Sequence, residues 1–439
     1  MRADRTRVVT ASAAVAAVLL GAFGFGCGAE KEPYRIGVIA DCEGLLHPLR
    51  GDELAAAQLP LIQRGASHRG SDPADGITTT EVAGRPVKLV TGCSEVGEFS
   101  TVTQEARRLI ENEHVDALVA GTWSVDEVVL RTIAQRHPDV TVVPVVHGPR
   151  EVTLGRAPRN LYRVAADEVQ GTAGLGTYAY RRLGWRTAAV AYADWISGWD
   201  PRDAFVREFC ALGGRIASQV AVTDFDPVAD VAKVPRDVDG VAVFAGQPFD
   251  PSRFLDRLAR RVGEPSRRMV VGAGITAEPD WLRNVARPLA GVVGSSYQPA
   301  TMGGSRLAYR AAYARAFPGR SKEGVDGAIV GGFHNSVAAI VGALQRAHGD
   351  PARVRAQLSG LDADLLDVPT RLDANRQAVV PAYLVRIVAP RGVNAPVRLA
   401  PVRTIPGVDQ SIGGLLDAGR VPTSGPLACR RAAAPPWAD

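Results

Sequence analysis

Lysine is nearly missing from the 439 residues: Lys31, Lys88, Lys233 and Lys322 are the only four, so arginine supplies almost all of the positive charge. The net charge is only +5, too small for the basic surface that binding to nucleic acid requires. Catalytic signatures are missing as well: there is no G-x-S-x-G, no H-E-x-x-H, no G-x-x-x-x-G-K-[ST], and no G-x-G-x-x-G opening a helix. Seven histidines and five cysteines show no metal-ligand spacing and no C-x-x-C. Aromatic residues make up 6% of the chain, which makes any local cluster of them informative. Neither an enzyme nor a cofactor carrier is expected, and a metal site is not expected either. What remains is ordinary globular composition, 46% hydrophobic and 22% charged, over a length that accommodates two or three packed domains.

The first thing present is an export signal. Arg2, Arg5 and Arg7 precede an apolar run over residues 8–25, the order of a secretory signal peptide. The expected division is a signal peptide at 1–26 and a lipid-anchor linker at 27–33. Gly24-Phe25-Gly26-Cys27 resembles a bacterial lipoprotein box, so acylation of Cys27 is expected, with the protein held on the outer face of the cytoplasmic membrane. No later stretch approaches the ~18 apolar residues of a membrane span.

With Cys27 acylated, Cys42, Cys93, Cys210 and Cys429 are left in an oxidising compartment, where three pairings, or buried free thiols, are open. Cys42 and Cys93 each close an apolar stretch. If those stretches are neighbouring parallel strands their ends come within bridging reach, which favours Cys42–Cys93 and leaves Cys210–Cys429.

Apolar runs and helical spacings alternate along the chain. Strands are expected at 34–40, 86–90, 117–120, 141–146, 187–193, 215–222, 240–245, 268–272, 291–295, 381–388 and 397–400. Helices are expected at 51–64, 100–112, 125–137, 169–183, 201–212, 251–262, 305–316 and 324–347. Such alternation predicts an α/β protein with two doubly wound parallel-sheet lobes, and residues 151–165 read as the crossover between them. Residues 34–153 with 300–348 are assigned to the first lobe, 154–299 with 349–400 to the second, and 401–439 to an irregular tail whose last eight residues are disordered.

Several landmarks occur in a fixed order: Tyr34-Arg-Ile-Gly-Val-Ile-Ala40, Gly51-Asp-Glu-Leu-Ala-Ala-Ala-Gln58, Val82-Ala-Gly-Arg-Pro-Val87, Glu105-Ala-Arg-Arg-Leu-Ile110, Asp116-Ala-Leu-Val-Ala-Gly121, Leu161-Tyr-Arg-Val-Ala-Ala-Asp167 and Thr370-Arg-Leu-Asp-Ala-Asn375. Together they resemble a type I periplasmic binding protein of the leucine/isoleucine/valine-binding class. The resemblance spans residues 34–400. It implies two lobes joined by three crossovers that close on a small solute, and a partner permease of an ABC importer that receives it, with the protein a monomer. A sensory ligand-binding module is one alternative and an exported enzyme, the less favoured, is the other.

Open parallel sheets bind ligands beyond the carboxyl ends of their strands, so the candidate site lies in the strand-end loops. In the first lobe these loops hold Glu43, Thr122, Trp123, Ser124, His147 and Gly148; in the second they hold Asp194, Trp195, Trp199, Gln247, Phe249 and Ile275. Thr122 and Ser124 precede a helix and are placed to meet an anion, although Ser124 with Glu127 also forms a capping-box pattern. The aromatic residues can stack on a ring or an apolar chain. Relatives that bind amino acids hold the ammonium with an acid at the position matching Ala273-Gly274-Ile275. No acid stands there, Glu278 is displaced from it, and Glu43 and Asp194 are the evident substitutes. The solute expected is amino-acid-like or aromatic.

Overall fold

The computed structural model describes residues 31–44, 46–95, 98–121, 123–223, 226, 228–245, 251–320, 324–390, 397–417 and 419–439. The signal peptide and Cys27 lie outside these residues, as do Thr122, Gln247 and Phe249.

The chain begins with strand β1 (Tyr34–Glu43), followed by helix α1 (Arg50–Ile62), the short strand β2 (Thr80–Val82) and β3 (Arg85–Glu95). Helix α2 (Phe99–Arg107), β4 (Ala117–Ala120), α3 (Ser124–Arg136) and β5 (Thr141–Pro144) follow. Among the described residues these strands form one five-stranded sheet in the order β2-β3-β1-β4-β5, parallel except for the β2–β3 hairpin. Burial explains why β1 is an uninterrupted apolar run: Ile36, Val38 and Ala40 enter one core, and Ile39 enters the core on the opposite face. In the β1–β3 register Ala40 is opposite Cys93, and the Cys42–Cys93 disulfide closes this strand end with a Cα–Cα distance of 5.4 Å.

A second sheet carries the other lobe. Its parallel part comprises β6 (Thr187–Ala193), β7 (Arg215–Val222), β8 (Gly240–Phe244), β9 (Met269–Val271) and β10 (Val293–Ser296). Helices α4 (Ile196–Ala211), α5 (Ser252–Val262) and α6 (Pro279–Val285) intervene. Strand β6 again splits its side chains between two cores, Ala189 and Ala191 to one and Val190 and Tyr192 to the other. The helix expected at 169–183 is broken, because Gly174 adopts φ +89°, a left-handed conformation that a helix interior excludes.

The chain then returns to the first lobe through α7 (Gly304–Ala316), α8 (Ala328–Arg346) and α9 (Val354–Ser359). Helix α8 is long and apolar enough to cross a membrane, but Val330, Phe333, Val337 and Ile340 are buried in the core shared with Ile36. Val354, Leu358, Leu361, Leu365 and Leu366 join that same core. This corrects the assignment of 349–400 to the second lobe in its first part: α9 covers the first lobe, and the chain rejoins the second sheet only at Asp362.

Strands β11 (Asp362–Asp364), β12 (Pro369–Leu372), β13 (Ala378–Val388) and β14 (Arg398–Val408) complete the second sheet, with β14 pairing β13. The irregular tail expected at 401–439 is therefore corrected in its first part. The described residues of 409–439 lack helix and strand yet are tied down. Arg202 donates to Thr423 O at 2.7 Å and Gly425 O at 2.9 Å. Cys429 is bonded to Cys210, and Trp437 Nε1 donates to Glu208 Oε1 at 2.7 Å. Ala438 is buried, so the last eight residues are not the disordered end expected from composition. Arg163 N donates to Arg376 O and Ala378 N to Arg163 O, joining the first and third crossovers where the lobes meet.

Candidate functional site

The carboxyl ends of both sheets face a cavity of ≈ 100 Å³. The first lobe contributes Trp123 and Ser124 after β4, His147 after β5, and Ala328 and Ile329 at the start of α8. The second contributes Glu168, Ser197, Phe244, Gly272, Ala273, Glu278 and Tyr297. Parallel strands end in short loops at this edge, so each sheet delivers polar and aromatic side chains that its buried strands cannot carry.

The lobes meet over this cavity. Trp123 stacks on Trp195 of the opposite lobe with centroids 6.1 Å apart and planes at 22°. His147 stacks on Tyr297 at 3.7 Å and 16°. Ser124 Oγ donates to Glu168 Oε1 at 2.7 Å, Ala328 N to Ala277 O at 3.3 Å, and Ile329 N to Glu278 Oε1 at 3.0 Å. Aromatic pairs of this kind contribute about 0.5–1.5 kcal/mol each beyond area burial.

Ser124 does not cap α3 in the expected way. The cap position is Trp123, and Ser124 is the first helical residue, its hydroxyl turned across the cleft to Glu168. Gly148 is constrained by packing: a Cβ there would lie 2.1 Å from Glu127 Oε2, so only glycine lets that buried carboxylate pass. Its carbonyl accepts from Glu168 N and from Arg163.

Four expected contacts are located elsewhere. Glu43 is solvent-exposed, because the β1–β3 register shifts between Asp41 and Glu43 and turns the strand end outward. Asp194 accepts from Trp199 Nε1 at 3.0 Å, so these two hold each other beside the α4 start, and Trp199 packs on the second-lobe core. Ile275 is buried in the core beneath β9, while Gly272, Ala273 and Gly274 line the cavity. Sequence reasoning missed Glu168 and Tyr297. Tyr297 follows the end of a correctly read strand and so carried a usable signal, whereas Glu168 sits in a crossover with no periodicity to place it.

The electrostatics are one-sided. Among the described residues no lysine or arginine lines the cavity. Arg163 is close, but it is fully buried and already engaged by Glu127 at 2.8 Å and by Pro149 O at 2.8 Å. Burial pushes the Glu168 carboxyl well above its ordinary value, and the neighbouring charge of Asp200 adds to the rise. Burial pulls His147 down to about 3, helped by Arg163, leaving a neutral imidazole at physiological pH. Behind the first-lobe wall, Asp41 N donates to Glu53 Oε2 at 3.0 Å. Burial and then Asp41 raise Glu53 and also Asp126, the latter to about 7.

Residues 33–392 match the family described as periplasmic binding protein. No curated protein matches the chain. Among solved structures, an ABC transporter substrate-binding protein from Sphaerobacter thermophilus is 21% identical, with 86% of this chain and 99% of that one covered and a TM-score of 0.73. A solute-binding protein from Rhodopseudomonas palustris BisB5, in complex with 3,4-dihydroxybenzoic acid, is 19% identical over 86% and 98% of the two chains, with a TM-score of 0.69. The substrate-binding protein LivJ of Streptococcus pneumoniae, in complex with isoleucine, is 16% identical over 84% and 99%, at 0.66.

Proposed function

The chain belongs to the periplasmic binding protein family, and from that premise we propose that it is the solute receptor of an ABC importer. In this reading the exported protein is acylated at Cys27 and held at the outer face of the cytoplasmic membrane. It captures a small organic solute by closing its two lobes, and as a monomer presents the closed form to a membrane permease. The observation that carries the reading is the cavity itself, walled by both lobes and faced with Trp123, His147 and Tyr297. A solute bridging Trp123 and Tyr297 makes all of its contacts only when the lobes are together, so its binding energy favours the closed form. Solved neighbours hold 3,4-dihydroxybenzoic acid and isoleucine, solutes of a size suited to such a cleft.

The test is a thermal-shift screen of the soluble chain from Gly28 onward, because a ligand that favours the folded state raises its melting temperature. Trp123→Ala is expected to weaken the solute found by at least about tenfold, the loss of roughly one aromatic contact. The side chain is only partly buried, so the melting temperature of the unliganded variant should stay close to that of the parent. Undiminished binding by the variant would remove this cavity as the site.

A further inference from the structure

We propose that the cavity selects a small organic cation, an alkylammonium without a carboxylate, whose N–H groups are accepted by Glu168 and whose carbon chain lies against the ring faces of Trp123 and Tyr297. The proposal rests on reading the cleft as the solute site and adds the chemical class of the solute.

Three independent features converge on it. Glu168 lines the cavity, is 5% exposed, and its Oε2 has no hydrogen-bond partner, while Oε1 accepts only from Ser124. A buried acceptor left open in this way calls for a donor. The opposing wall is aromatic, and rings attract ammonium groups over their faces. The third feature is what an anion would meet. The N-terminal end of α3, where a carboxylate could otherwise be received, already carries Asp126 and Glu127 in its first turn and has its Ser124 hydroxyl committed to Glu168. Glu278 also lines the cavity, 5% exposed. A carboxylate would thus face Glu168 and Glu278 of the second lobe with no lining arginine or lysine to meet it.

The groups facing Glu168 are Asp200 from α4, Glu127 from α3, Arg163 from the first crossover, and the His147 and Tyr297 rings. Arg163 is held by Glu127, and the acids outnumber it. These neighbours and burial raise Glu168, and a bound ammonium, by pairing with the ionised carboxylate, favours loss of its proton. The coupling has a definite sign. Because the alkylammonium stays charged to about pH 10, its affinity must rise with pH, by about tenfold per unit while Glu168 is protonated in the free protein. A carboxylate held by protonated Glu168 would take up no proton while Glu168 is protonated in the free protein and would weaken above that range, so its affinity would never rise with pH.

The experiment compares matched solutes by calorimetry and thermal shift at pH 6, 7 and 8: isobutylamine, valine, isobutyramide and isobutyrate, with phenethylamine and phenylalanine as a larger pair. The expected result is that each amine binds at least tenfold more tightly than its amino acid. Binding of the amine should release about one proton, measured from two buffers of different ionisation enthalpy, and should tighten with pH. Glu168→Gln is expected to abolish both the slope and the preference, and the wild-type slope alone decides the matter if that variant does not fold. Binding of valine, isobutyramide or isobutyrate with the amines silent overturns the cation class and leaves the solute-receptor reading standing. Silence from every one of these solutes overturns the cation class, and the solute-receptor reading then stands or falls on the wider thermal-shift screen and on Trp123→Ala.

Discussion

Replacing Cys210 and Cys429 together by serine is expected to lower the melting temperature by about 4–6 °C and to expose the C-terminal segment to protease. The bridge spans 219 residues of sequence. In the chain-entropy account a loop of that length contributes at most about 5 kcal/mol by restricting the unfolded chain, and for a domain of roughly 400 residues this converts to a shift of that size. The second part of the expectation comes from how the tail is held. The described residues of 409–439 have no ladder of their own; their carbonyls accept from Arg150, Arg202 and Gln219, and the disulfide fixes the chain that offers them. Arg202 also lies over the Tyr192 ring at 4.7 Å, so its guanidinium is pinned before the tail arrives. Calorimetry and limited proteolysis check the two halves separately. An unchanged melting temperature with a protected tail would show that the arginine–carbonyl contacts suffice without the bridge.

Arg163→Met is expected to destabilise the protein by about 3–5 kcal/mol, because it removes the guanidinium that favours the charged form of Glu127, which burial already pushes up to about 8, at a site with no exposure on either partner. The same residue pairs its backbone with Arg376 and Ala378 and donates from its side chain to Pro149 O, so it ties the first crossover to the third and to the first lobe at once. Adding Glu127→Gln should recover most of the loss, since no uncompensated charge is then left inside. Denaturant unfolding of the two single variants and the double variant measures the coupling. Additive losses in that cycle would mean that the ion pair is not what holds this junction.

The parts of the fold that could be read from sequence are those whose strands are buried on both faces. Strands β1, β4, β6 and β8 are uninterrupted apolar runs because each divides its side chains between two cores. Strand β14 was read only at its start, in the strand expected at 397–400, and not in its continuation to Val408. Pro401 and Pro406 interrupt it, Arg398 and Arg403 break its apolar pattern, and it pairs only β13. The tail beyond it has no periodic pattern at all, since arginine side chains from elsewhere in the fold hold its backbone carbonyls. The cavity lies among strand-end loops, and Trp123, Ser124 and His147, expected on that ground, line it. What could not be read was orientation within a loop: the register shift that turns Glu43 outward and the bond that joins Asp194 to Trp199 depend on tertiary neighbours. Glu168 was invisible for a related reason, since only the meeting of the lobes brings Ser124 to it.

The central claim is that the two lobes close over a solute held between Trp123 and Tyr297. Small-angle scattering from the protein, alone and saturated with the solute that most raises its melting temperature, tests this directly. The account predicts a smaller radius of gyration and a narrower distance distribution on binding. Saturated binding with a superimposable scattering curve would contradict it.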